Sequence, residues 1–176
     1  MMKTLCLTLC LLPLAALAQQ TPTATVPSDT ASAAPRMYIS AGEIADRIAK
    51  ADAAARAGTA YDGGPLLLQG VFKANMEYHV GAAPRVNVHL NDAELFVVLE
   101  GSGTLTLGGT LVNPTRNGSN LQASAAEGGV PYKLSKGDMV LIPENLAHSV
   151  TQTDGKLVLM SMHLPQPAAA STPVAR

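Results

Sequence analysis

The chain has no tryptophan, two phenylalanines and four tyrosines in 176 residues. A platform on which bases or sugar rings stack is hard to build from so few aromatic rings. A dominant charge is missing as well. The formal net charge is −1, and lysine and arginine form no cluster. Nothing therefore draws the chain to nucleic acid or to an anionic membrane surface. The two cysteines, Cys6 and Cys10, both fall within the first ten residues. The remainder can form no disulfide, thiol nucleophile or thiolate metal site, and an oxidising compartment costs it nothing. There is no Ser-His-Asp signature and no glycine loop of the kind that cradles phosphate.

The start of the chain reads as an address. Lys3 supplies a positive n-region, an apolar run follows to Leu14, and Ala16-Leu17-Ala18 has the small-x-small form of a cleavage site. The apolar run is shorter than the ~20 residues a membrane span needs. Residues 1–18 are thus expected to be a signal peptide, leaving a mature chain from Gln19 that is periplasmic or secreted, with no stable membrane span. The residue before Cys10 is Leu9, not the small residue that precedes a lipidated cysteine. Residues 19–39 are rich in Thr, Ser, Ala and Pro and read as a flexible segment, and residues 166–176 as a disordered tail.

Ser40-Ala41-Gly42-Glu43 has the form of a capping box, with a hydroxyl for one backbone N–H and a glutamate reaching back to another. A helix is expected from there to about Arg56, stopped by Gly58. Ile44, Ile48, Ala51 and Ala55 make a thin apolar stripe, which suits a helix packed outside a sheet. After the turn at Tyr61-Asp62-Gly63-Gly64 the pattern becomes short β-rich runs: 66–72, 76–80, 85–90, 95–99, 104–107, 130–134, 139–142, 147–152 and 156–163. Gly101-Ser102-Gly103 is expected to break the chain, and the Gly, Asn, Ser and Ala-rich residues 108–129 to form a long excursion. Asn117-Gly118-Ser119 matches a glycosylation sequon and is read as a turn. Many short strands with turn signals define an all-β sandwich or barrel. No repeat is visible, so residues 40–165 form one helix plus a single domain.

Chemistry concentrates in residues 81–101. In a strand, Asn87 and His89 project to one face while Val86, Val88 and Leu90 face the other. Asn91-Asp92 are turn formers that let the chain double back and lay Glu94 on a neighbouring strand, with Phe96 and Val98 on the same face. An imidazole, a carboxylate and an amide then meet in an apolar layer, where they must be satisfied by one another or by a metal.

The spacing of Gly81, His89, Glu94 and Gly101 resembles the first motif of the cupin family, G-x5-H-x-H-x3or4-E-x6-G, with Asn87 at the first histidine. Downstream, Gly137, Pro143 and His148 fit the second motif, G-x5-P-x-G-x2-H-x3-N, with Asn145 for the second glycine and Gln152 for the asparagine. The resemblance spans residues 64–165 and implies a cupin jelly-roll barrel with the N-terminal helix packed outside. It implies a divalent metal (Fe, Mn or Zn) held by His89, Glu94 and His148 with Asn87 beside it, a small-molecule ligand or substrate, and a homodimer. Two imidazoles and a carboxylate match both a facial triad and a catalytic zinc site. A metal-free polar network remains the alternative. On this reading His148→Ala strips the metal and His163→Ala does not, since His79 and His163 are taken as surface or satisfied histidines. Three functions stay open: a metal-dependent oxygenase, isomerase or lyase; a non-catalytic small-molecule binder; and a structural or interaction scaffold.

Overall fold

The structure is a computed structural model and describes residues 34–81 and 85–165. The expected signal peptide, most of the flexible segment and the tail lie outside the described residues. Among the described residues one helix precedes eleven strands: α1 (Ala41–Arg56), β1 (Leu67–Gln69), β2 (Phe72–Val80), β3 (Val86–His89), β4 (Asp92–Leu107), β5 (Thr110–Val112), β6 (Thr115–Asn117), β7 (Asn120–Ala123), β8 (Ala125–Glu127), β9 (Val130–Ser135), β10 (Met139–Ile142) and β11 (His148–Pro165).

Two long strands organise the sheet. β4 and β11 pair antiparallel from His148↔Leu107 to Pro165↔Asp92. On its far side β4 carries β9 and β10, whereas β11 carries β2 and, through β2, β1. The first residue of β11 also pairs with β3, as His148↔Asn87, and β3 leads on to β7 and β6. The result is an all-β jelly roll, as the sequence suggests, although hydrogen bonds among the described residues do not close it into a barrel.

The interior holds two apolar clusters. Phe96, Val98, Leu105, Leu134, Ile142, Val150, Leu157 and Leu159 form the larger one between the long strands and their neighbours. Val86, Val88, Ala123 and Ala147 form the second. The alternation read in residues 86–90 thus has its physical cause: the valines of β3 bury 4% exposed into the second cluster, leaving Asn87 and His89 for the opposite face.

Several expectations need correcting. Residues 66–72 are not one run. Gly70 adopts φ +57° and turns β1 into β2 as a tight hairpin, Gln69↔Phe72. Gly101-Ser102-Gly103 does not break the chain, because β4 runs straight through it. A Cβ at Gly101 would lie 2.1 Å from the Lys156 carbonyl oxygen, so this glycine serves close approach of β11. Residues 108–129 contain four short strands, and Leu111, Leu121 and Ala126 cover the second cluster. The turn at Gly118-Ser119 is present as the tip of the β6–β7 hairpin. The runs 147–152 and 156–163 merge into β11. Finally, β3 and β4 do not pair. Leu90 and Asn91 form a corner that passes the chain from the β7 side of the interior to the β10 side.

The helix forms where the sequence places it. Ser40 Oγ accepts from the Glu43 N–H at 3.1 Å. The box is only half made, since the Glu43 carboxylate pairs with Arg36 and Arg47 instead of reaching back. Gly58 at φ +67° ends the helix, with Gly58 N–H donating to Ala55 O and Thr59 N–H to Ala54 O. Ile48 and Ala51 are buried. Polar contacts complete the docking: Asp52 accepts from Tyr78 at 2.6 Å and from Lys156 at 2.8 and 2.9 Å, and Lys156 also meets Glu100 at 2.7 Å. These contacts hold the Asp52 carboxyl below its usual value, chiefly through the Lys156 and Tyr78 hydrogen bonds. No described helix is long and apolar enough to cross a membrane.

Candidate metal centre

Three strands bring the polar residues together. β3 carries Asn87 and His89, β4 begins with Asp92 and Glu94, and β11 supplies His148 at its start and His163 near its end. Glu94 faces inward with Phe96 and Val98, all three at most 4% exposed. A carboxylate so placed must be paired. One of its oxygens, Oε2, lies 3.1 Å from His89 Nε2 and 3.2 Å from His148 Nε2.

The other nitrogen of each ring fixes the tautomer. His89 Nδ1 lies 3.0 Å from Asn120 Oδ1, and His148 Nδ1 lies 3.1 Å from the Leu146 carbonyl oxygen. Both partners can only accept, so both Nδ1 atoms carry hydrogen. In neutral rings the two Nε2 lone pairs then point at a carboxylate oxygen that also carries lone pairs. A cation must offset that repulsion, either a proton on a ring or a metal between the groups.

The electrostatics agree with this geometry. Burial is the largest single influence on Glu94 and pushes its carboxyl up. The hydrogen bonds and charges of His148 and His89 together outweigh it and bring the pKa from 4.5 down to about 2. His89 is held above its usual value, first by its hydrogen bond to Glu94 and against the effect of its own burial.

Each imidazole–carboxylate pair also fits a metal by distance. Donors bound at roughly 2.1 Å to one ion stand about 3.0 Å apart at a right angle and about 3.4 Å apart at a tetrahedral angle. The imidazole–carboxylate separations of 3.1 and 3.2 Å fall in that interval. The Nδ1–acceptor bonds are the outer contacts that orient metal-binding histidines.

Asn87 sits beside His89 on the same face and is the cross-strand partner of His148. Its Oδ1 accepts from Gln122 Nε2 at 3.3 Å. His163, expected to be a surface or satisfied histidine, keeps its side chain 37% exposed but is not satisfied. It lies directly opposite Glu94 on β11, its ring packs edge-on against His89 at 4.4 Å, and its buried Nδ1 has no hydrogen-bond partner. One donor atom each from His89, Glu94 and His163 lie within 4.8 Å of one another. Asn120 and Gln122 were hidden in the glycine-rich excursion. The alternation Asn120-Leu121-Gln122-Ala123, polar towards the site and apolar towards the second cluster, is the signal that could have found them.

These groups line a cavity of about 490 Å³ that takes in all four histidines, Arg85 and Ser149. Its size suits a small-molecule site. A second cavity, about 560 Å³, lies between α1, residues 59–65 and β2. It contains no histidine and no buried carboxylate, so its greater size does not make it the better candidate.

The fold is a jelly roll of the cupin kind, and both stretches that resemble the cupin motifs lie within its sheet. The Gly81-to-Gly101 motif forms β3 and more than the first half of β4, and the Gly137-to-Gln152 motif forms β10 and the start of β11. No family model matches the sequence, and no curated protein matches it. Solved structures similar to the chain include a cupin protein from Bacteroides fragilis, at 14% identity over 60% of this chain and 75% of that one, with a TM-score of 0.41. The Cnp3 cupin domain of Schizosaccharomyces pombe is 13% identical, covering 58% and 59%, at a TM-score of 0.42. Hydroquinone 1,2-dioxygenase PnpCD, solved with Cd2+ and 4-hydroxybenzonitrile, is 17% identical, covering 58% and 63%, at 0.42. The chain therefore spans less than two thirds of the last two.

Proposed function

We propose that this chain is an exported cupin that binds one divalent metal through His89, Glu94 and His148 and acts on a small polar molecule in the cavity beside them, as an oxygenase, isomerase or lyase. The observation that carries the reading is the pair of Nε2 atoms, both with Nδ1 already donating, aimed at one buried carboxylate oxygen. Iron, manganese or zinc would suit this mixed imidazole and carboxylate set. When bound, such an ion supplies a Lewis acid with positions open to substrate. The chain's residues do the rest. Phe96 packs edge-on against the His148 ring at 6.1 Å and keeps that side of the site apolar. Asn87, Gln122 and Ser149 offer hydrogen bonds to a ligand in the cavity, and Arg85 offers a positive charge.

Elemental analysis tests the reading. Protein purified without chelator, or stripped and reloaded with Zn(II), should hold about one ion per chain, and His148→Ala should lose most of it. Sub-stoichiometric metal after reloading, unchanged in His148→Ala, would leave a hydrogen-bonded polar network. The non-catalytic binding reading would then lead. Export rests on Lys3, the apolar run and Ala16-Leu17-Ala18. Sequencing the exported protein from its N-terminus should begin at Gln19, and an intact Met1 would contradict it. A dimer follows only from the cupin resemblance, and light scattering checks it.

A further inference from the structure

We infer that His163 is a fourth metal donor in this cavity, in place of the imidazole that Asn87 does not provide, and that Asp92 orients it. The inference rests on the metal-binding reading above and adds to it a ligand from outside both motifs.

The two oxygens of Glu94 are used differently. Oε2 takes both His89 and His148, whereas Oε1 faces His163 Nε2 at 3.7 Å. That separation is too long for a hydrogen bond, yet near what two donors spanning one ion would show. The other side of the ring repeats the pattern. Nδ1 lies 3.8 Å from Asp92 Oδ2, beyond hydrogen-bond reach, and is buried without a partner. The imidazole is thus suspended between two carboxylates and bonded to neither. An ion drawing Nε2 towards Glu94 would leave Nδ1–H free to donate to Asp92, the carboxylate–histidine–metal arrangement.

Asn87 fits the same account. Its amide oxygen, a poorer ligand than imidazole for these ions, already accepts from Gln122. A fourth strong donor would therefore come from elsewhere, and His163 is cross-strand to Glu94 and in ring contact with His89. His79 also lines the cavity but pairs with Glu77 at 3.0 Å.

Cu(II) is a suitable probe, because its electron spin couples to each bound imidazole nitrogen. The stripped full-length mature chain, loaded with one equivalent, should show three coupled imidazoles. His163→Ala should show two and bind Zn(II) about tenfold or more weakly, and His79→Ala should match the wild type. Asp92→Asn should weaken Zn(II) binding yet keep all three couplings, which marks a positioning role. Asn87→His in the His163→Ala background should restore the third coupling. A His163→Ala protein with wild-type spectrum and affinity, alongside a His148→Ala protein that loses metal, would overturn this inference and leave the proposed function standing. Wild-type protein that binds neither ion would overturn both. The wild-type spectrum alone counts the imidazoles, so two couplings there would refute the inference even if His163→Ala failed to fold.

Discussion

Glu94→Gln in chelator-treated protein isolates the protonic half of the site. The amide keeps the shape of the side chain and removes its charge. The fall of the Glu94 pKa from 4.5 to about 2 corresponds to roughly 3 kcal/mol in favour of the ionised form in the folded state. The amide can still donate one N–H to a neutral imidazole, which trims the cost of the substitution to about 2–3 kcal/mol. The pH dependence has two limbs. A depressed carboxyl contributes stability that is present above pH 4.5 and lost as pH falls through about 2. A raised imidazole contributes stability that is present below pH 6.5 and lost as pH rises through its folded value, and His89 is such a group. The gap between wild type and variant should thus be widest between about pH 4.5 and 6.5, close in strong acid and narrow in base. Urea unfolding in chelator across that range reads it directly. Near pH 5.5 the melting temperatures should differ by about 10 °C. A gap under ~1 kcal/mol at that pH, or one that widens on acidification, would refute the argument.

Metal-loaded protein should behave in the opposite sense: ligating imidazoles must be neutral, so the melting-temperature gain from one equivalent of Zn(II) should grow as pH rises through about 6.5 and vanish in acid. Asn145 holds φ +63° where the cupin motif has glycine, and its N–H donates to the His89 carbonyl at 2.8 Å. Asn145→Gly should therefore be close to neutral and Asn145→Val should cost about 1–2 kcal/mol or more, measured by denaturant unfolding. Gly101→Ala places a Cβ 2.1 Å from a backbone oxygen at φ +81°; it should destabilise by about 3 kcal/mol or more in the same assay, and a neutral result would mean that β4 and β11 are not in this register.

How much of this was legible in the sequence depended on how local the cause was. The helix was, because Ser40 and Gly58 act within one turn of themselves. The opposed faces of β3 were, because the period of a strand is two residues and Val86 and Val88 announce the buried side. Asn145 kept the motif readable because asparagine tolerates the left-handed conformation almost as glycine does. The excursion was misread because its strands are three or four residues long and stabilised by partners far off in sequence, as Asn87↔Gln122 shows. Composition there reports turns, and nothing local reports the pairing. The Glu43 side chain went elsewhere for a similar reason, since two arginines outbid a single backbone N–H.

His163 is the instructive case. Fifteen positions separate it from His148, an odd number, and in an unbroken strand the two would face opposite sides. The pairing of β11 with β4 removes that objection. Val150 and Gln152 face the adjacent residues Leu105 and Thr104, so β11 gains a residue at Thr151. Thr153 and Leu157 face Gly103 and Gly101, which adds an even number and leaves the sense changed. From there Leu157, Leu159, Ser161 and His163 share the inward face that His148 and Val150 hold at the other end. Such irregularities need room, and Gly101-Ser102-Gly103 provides it. A Cβ on Gly103 would sit 2.5 Å from the Gln152 carbonyl oxygen, and one on Gly101 closer still to that of Lys156. The glycine that ends the first motif therefore acts on the site at a distance: by admitting the irregular middle of β11, it lets one strand deliver two histidines to the same carboxylate.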